Sequence, residues 1–204
     1  MSEEKLSPEQ SLRLIHTMID RTKETMSDNG IHYLVWGWLT FFACTAQFIL
    51  KHIYEYEKHY QVWLLMLGGV AFTFIYGFRE GKRRKVQTYV GESLKWLWIG
   101  MGISYFVLSM ILTRIGWNNP VFPFFIMLYG LGTFVSGSIL QFRPLVTGGI
   151  LASVLAMVSA FASYDYQMLY AAAAILSSYI IPAYLLRKKN KKLIRHDSTR
   201  ETVI

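Results

Sequence analysis

Apolar runs, each about the length of a membrane crossing, alternate with short polar segments along this chain. Ile31 to Phe78 is apolar except for the interruption from Lys51 through His59, and Trp96 to Thr113, Val121 to Phe142, Pro144 to Ser163 and Tyr166 to Leu186 follow. None of the resulting six stretches contains Asp, Glu, Lys or Arg. A helix rising about 1.5 Å per residue crosses roughly 30 Å of hydrocarbon in about 20 residues, which is close to each length. Peptide groups in lipid must pair within their own segment, and the strict alternation of a barrel strand is missing. The pattern therefore predicts an all-α polytopic membrane bundle with transmembrane helices at 31–50, 60–78, 96–113, 121–142, 144–163 and 166–186.

The first 30 residues follow a different pattern. Ser7, Pro8 and Gln10 read as a helix start, Leu12, Ile15, Ile19 and Met26 share one face, and Asn29-Gly30 ends the element. This predicts a cytoplasmic amphipathic helix in residues 1–30. Six acidic and four basic groups in residues 1–29 favour docking on protein over anionic lipid. The segment lacks the apolar core of a secretory signal, so the first crossing is expected to serve as an uncleaved anchor.

Charge then orients the crossings. Of the 21 Lys and Arg residues, 18 fall on the side that holds both termini, leaving Lys51, Lys58 and Arg114 opposite. The positive-inside rule puts both termini in the cytoplasm, with a basic tail over 187–204. Arg79, Lys82, Arg83, Arg84, Lys85, Arg187, Lys188 and Lys189 become candidates for contact with anionic head groups, with a cytoplasmic protein partner or with a second copy of the chain. They also form the expected seat of the N-terminal helix. The outer connections are too short for an ectodomain, which excludes capture of a large external ligand. Nucleic acid is excluded too, since the net charge of +8 follows from membrane orientation. Tyr33, Trp36, Trp38, Trp96 and Trp98 are expected as interface anchors inside, and Tyr54, Tyr56, Tyr60, Trp63, Trp117, Tyr164 and Tyr166 outside.

The odd helices open alike, as His32-x-Leu34-x-x-Gly37, Lys95-x-Leu97-x-x-Gly100 and Arg143-x-Leu145-x-x-Gly148. This suggests three similar helical hairpins in parallel orientation, although hydropathy and one-sided charge alone would make hairpins look alike. Small residues spaced by four, including Gly132 with Ser136 and Gly149 with Ser153, predict close helix packing. Gly37, Gly100, Gly137 and Gly148 join them as packing candidates.

Chemistry is sparse. Cys44 reads as a packing residue. His52, Glu55 and His59 would share a face and could hold a divalent ion if the helix continued through them, with a solvated mixed-charge loop as the alternative. Ionisable groups at membrane depth mark proton-coupled transport, and the stretches hold none. Hydroxyls such as Thr40, Thr73, Ser104, Thr133, Ser136, Thr147 and Ser178 are expected to bond back to their own helix or a neighbour. With no nucleophile beside a base and no phosphate-binding loop, the chain reads as a non-enzyme without cofactor.

Ser7 to Asp20, Trp36-Gly37-Trp38-Leu39, Tyr76-Gly77-Phe78-Arg79-Glu80-Gly81-Lys82, Gly132-Thr133-Phe134-Val135-Ser136-Gly137 and Ser178-Tyr179-Ile180-Ile181-Pro182 together resemble a family of six-helix bacterial inner-membrane proteins with no assigned activity. The resemblance covers nearly the full length and implies a multi-pass protein of the bacterial inner membrane, with no functional residues to carry over. Two functional expectations follow. One is a non-catalytic scaffold or regulatory membrane subunit with a cytoplasmic interaction face. The other is a small transporter or channel for a neutral or weakly polar solute, which a polar cavity lined by hydroxyls of helices 2, 4 and 6 would favour.

Overall fold

The computed structural model describes residues 30–83, 89–115 and 120–188, without side chains at 80–83. The amphipathic helix expected in residues 1–29, together with Arg84, Lys85, Trp117, Lys189 and the remaining tail, lies outside the described residues, as do the side chains of Lys82 and Arg83.

Among the described residues there are six helices and no strand. They are α1 Gly30–Ile53, α2 Leu65–Arg83 behind a 3-10 turn His59–Leu64, α3 Tyr89–Ile115, α4 Phe122–Ile139, α5 Arg143–Ser159 and α6 Tyr164–Lys188. Five are long and apolar enough to cross a membrane, whereas α5 has 17 residues. At about 1.5 Å per residue that gives α5 roughly 26 Å.

Several boundaries differ from the apolar runs for a physical reason. α3 starts at Tyr89, ahead of Trp96, because Glu92 and Lys95 are compatible with a helix that continues into polar surroundings. Tyr164 and Asp165, left between the helices predicted at 144–163 and 166–186, instead open α6, and the chain reverses just before them behind an extended Ser163. A carboxylate in the first helical turn complements the exposed N–H groups there, so Asp165 suits a helix start.

Among the described residues, two other than glycine take a left-handed backbone, and both end helices. Gln141 has φ 50°, with its N–H donated to the Ser138 carbonyl at 3.2 Å and the Phe142 N–H to the Gly137 carbonyl at 2.9 Å. That pair of bonds is a Schellman closure, which lets α4 turn into α5 within three residues. Pro144 in the first turn of α5 lacks an N–H that would have no helical acceptor there. Glu55 has φ 48°, and the Tyr56 N–H folds back to the Leu50 carbonyl at 2.9 Å.

Helices α1, α4, α5 and α6 form the core, and α2 and α3 flank it. Only 6% of the apolar window of α2 and 11% of that of α3 are buried, against 39% for α1, 44% for α4 and 56% for α6. α2 lies on α1, with the Trp36 indole N–H donated to Thr73 at 3.0 Å and His32 edge-on to Tyr76. α3 lies on α4, where Trp98 and Met101 face Gly132. The tightest seam joins α4 and α5: a Cβ on Gly137 would stand 2.6 Å from the Val146 nitrogen, and one on Gly149 would stand 2.6 Å from the Phe134 nitrogen. α6 closes on α5 in the same way, since a Cβ on Gly148 would stand 2.8 Å from the Ser178 Cα. Backbones approach this closely only where side chains are absent.

Candidate functional site

The buried face of α1 carries a line of polar groups through the core. Tyr33, Thr40 and Gln47 follow at intervals of seven, with Gly37 and Cys44 between them and Lys51 beyond. Two helical turns separate each pair, so all point the same way. Tyr33, Thr40, Cys44 and Gln47 are 4%, 3%, 1% and 2% exposed.

Near the start of α1, Tyr33 meets an aromatic cluster drawn from three other helices. Its ring centroid lies 5.3 Å from Tyr179 of α6 and 5.9 Å from Trp98 of α3. Tyr179 in turn lies 5.2 Å from Tyr129 of α4, and Tyr129 lies 5.1 Å from Tyr105 of α3. Most of these contacts are edge-on or tilted, the arrangements favoured by ring quadrupoles. Two turns further along α1, the Thr40 and Tyr129 hydroxyls are 3.2 Å apart. Tyr33, expected as an interface anchor, is thus buried in the core, and Trp98, expected as another, is partly buried against it.

The position of Tyr179 depends on an irregular turn. Residues Leu176–Ile180 form a π turn, closed by the Ile181 N–H on the Leu176 carbonyl. Pro182, one residue on, has no N–H for the carbonyl four residues back, so the regular ladder cannot pass this point.

An apolar layer then crosses the line. Around Cys44 lie Phe122, Ile126, Ala152, Ala156 and Met168, all buried. Beyond it, Gln47 accepts the Trp63 indole N–H at 2.6 Å and bonds His59 Nδ1 at 3.2 Å through its amide nitrogen. Lys51 finally reaches the first turn of α6, where its ammonium sits 2.5 Å from Asp165 and 4.1 Å from the centre of the Tyr164 ring.

Most aliphatic hydroxyls in the bundle are already engaged by their own helix. Thr73, Ser104, Thr133, Ser136 and Ser178 each donate to the carbonyl four residues back, at 2.6 to 2.9 Å. Thr147 bonds the Pro144 carbonyl three residues back, at 3.1 Å.

The expected site residues separate into groups. Gly37 faces Tyr179 and Ile180 of α6, Gly132 faces α3, and Gly137, Gly148 and Gly149 face backbone. Ser136 is fully buried, and Ser153 bonds the Gly149 carbonyl and lies against Gly130. Gly100 is the exception: a Cβ there would meet nothing within 4 Å, because α3 turns Trp98 and Met101 toward α4 instead. His52, Glu55 and His59 do not converge, since α1 ends at Ile53 and Glu55 reverses the chain. Among the described residues no three His, Cys, Asp or Glu side chains are grouped as metal ligands. His52 instead approaches Asp165 at 3.7 Å, and His59 bonds Gln47. Of the basic group, Arg79 and Lys188 are exposed, and the Arg187 stem lies across Gly30.

The line along α1 has a signal in the sequence, namely polar or small residues every three or four positions within an apolar helix. The aromatic cluster has none, because its members come from four helices distant in sequence. Family models, curated proteins and solved structures compared with this chain yield no match.

Proposed function

We propose that the chain is a non-catalytic scaffold or regulatory subunit of the bacterial inner membrane, with both termini in the cytoplasm and its partner on the basic face that includes Arg79, Arg187 and Lys188. The observation that carries this reading is the apolar layer around Cys44. A solute moving along the polar face of α1 would have to pass Ile126, Ala152 and Met168, which belong with Cys44 to one buried hydrophobic cluster between the levels of Thr40 and Gln47. Glycine-to-backbone contacts among α4, α5 and α6 leave little freedom to open it. The one-sided distribution of Lys and Arg supports the orientation and directs attention to the cytoplasmic side.

Crosslinking in native membranes tests the scaffold. Photoreactive residues at exposed Phe78 and Tyr184, beside Arg79 and one turn before Lys188, are expected to capture one defined protein, with capture lost when Arg79 and Lys188 are substituted by Glu. Adducts spread over abundant membrane proteins, unchanged by the substitution, would sink the proposal. A second reading, passage of a small neutral solute, draws on the polar groups on either side of the layer. It requires glycerol or urea flux in proteoliposomes above that of protein-free vesicles, blocked by enlarging Cys44 to Phe.

A further inference from the structure

Gln47 joins the end of α1 to the start of α2 through two hydrogen bonds of opposite polarity. Its carbonyl oxygen accepts the Trp63 indole N–H at 2.6 Å, and its amide nitrogen stands 3.2 Å from His59 Nδ1. An indole nitrogen can only donate, so turning the amide round would set two N–H groups face to face. The group presented to His59 is therefore a donor. Nδ1 must accept from it, which requires a neutral imidazole with its proton on Nε2. A protonated ring carries a proton on both nitrogens and offers no acceptor.

The surroundings make this join sensitive to protons. His59 is half-buried and within reach of solvent, whereas Gln47 is almost fully buried and has little water to replace a lost partner. Both His59 and Trp63 lie in the 3-10 turn His59–Leu64 that leads into α2, the least buried of the five long helices. The charged groups of neighbouring elements that act on His59 are Lys51 of α1 and Asp165 of α6. These pair with each other, so the Asp165 carboxylate is already compensated. The Tyr164 ring of α6 lies against the Lys51 ammonium, and His52 of α1 faces Asp165 at 3.7 Å. Beside His59 in the chain, Glu57 and Lys58 are exposed and the Tyr60 ring stands edge-on to the imidazole.

We propose that Gln47, His59 and Trp63 form a proton-sensitive latch, which fastens the start of α2 to α1 while His59 is neutral and releases it when His59 is protonated. An imidazolium facing the Gln47 amide leaves two outcomes. Either the amide keeps Trp63 and repels His59, or it turns to His59 and repels Trp63; one of the two bonds is lost in both. Because the closed form admits only the neutral ring, the latch is complete above the ordinary imidazole value of about 6.5 and is lost as the pH falls below it. Gly69 against Leu39 and Trp36, and the Trp36 indole on Thr73, hold α2 further along, so release is confined to its start. The latch depends on neither functional reading, since it involves no partner and no solute.

Two measurements on the full chain in nanodiscs test it. With the indole nitrogens labelled by ¹⁵N, hydrogen exchange of the Trp63 N–H is followed from pH 8 to pH 5.5, relative to a free indole at each pH. Its protection is expected to fall about tenfold, the worth of one ordinary hydrogen bond, with a midpoint near pH 6. The fall should persist in His52→Gln and vanish in His59→Gln, whose amide oxygen can accept from Gln47 at every pH. Constant protection in the native chain overturns the proposal, as does the same fall in His59→Gln or its loss in His52→Gln. Separately, ¹⁵N shifts of the native His59 ring at pH 8 are expected to place its proton on Nε2. A proton on Nδ1 overturns the latch, and this second measurement needs no variant to fold.

Discussion

Lys51 at the end of α1 sits 2.5 Å from Asp165 in the first turn of α6, joining two helices whose other ends meet where Arg187 crosses Gly30. Both side chains are about a third exposed, so the pair is partly screened. Asp165 also sits at a helix start, where a negative charge is favourable in itself. Lys51→Ala and Asp165→Asn should each lower stability by about 1 kcal/mol or less. The charge reversal carrying Lys51→Asp and Asp165→Lys should recover only part of the loss, because it places a cation at the start of α6. Thermal unfolding of the four proteins in one detergent measures this, and full recovery by the reversed pair would contradict the helix-end contribution.

The glycines separate packing from spacing. Ala at Gly137 or Gly149 would force a methyl to within 2.6 Å of a backbone nitrogen, which no rotamer change relieves. Each should destabilise the chain by roughly 2–4 kcal/mol or prevent its accumulation. Gly100→Ala meets open space and should be neutral or stabilising, by up to about 1 kcal/mol from helix propensity. Denaturation midpoints of the three variants decide whether these contacts are as close as the geometry implies.

Gln141 occupies a backbone region in which a side chain is strained. Gln141→Gly should raise stability by about 0.5–1 kcal/mol, while Gln141→Val should lower it by more. A stabilising Val would mean that the α4–α5 turn does not close through the bonds to Gly137 and Ser138.

Gln47 is 2% exposed and satisfies the Trp63 indole at 2.6 Å. Gln47→Leu strands that N–H and should lose roughly 1–3 kcal/mol. Adding Trp63→Phe removes the stranded donor, so the double variant should be less damaged than the sum of the two single changes. Strict additivity in a double-mutant cycle would show that the pair is not coupled.

Helix positions were legible in the sequence because hydropathy is a local property. Asp165 shows the limit of that reading: its charge suggested a break in the apolar pattern, but the same charge stabilises a helix start and meets Lys51 across the fold. Glu55 is similar, since the end of α1 at Ile53 and the left-handed backbone at Glu55 separate His52 from His59 and break the helical face on which a metal site would have depended.

The sequence by itself determined six apolar segments, their helical character and the uneven placement of their basic ends, all of which follow from residue type and spacing along the chain. Tertiary structure alone decided that α2 and α3 flank while α1, α4, α5 and α6 form the core, that Gly37 and Gly148 pack while Gly100 does not, and that Tyr33 lies inside with Trp98 packed against it. The physical reason is that helices apolar on nearly every side carry no hydrophobic face to mark their partner. Selection among faces then falls to small residues that admit a backbone and polar groups that need a neighbour, and those partners lie far away along the chain.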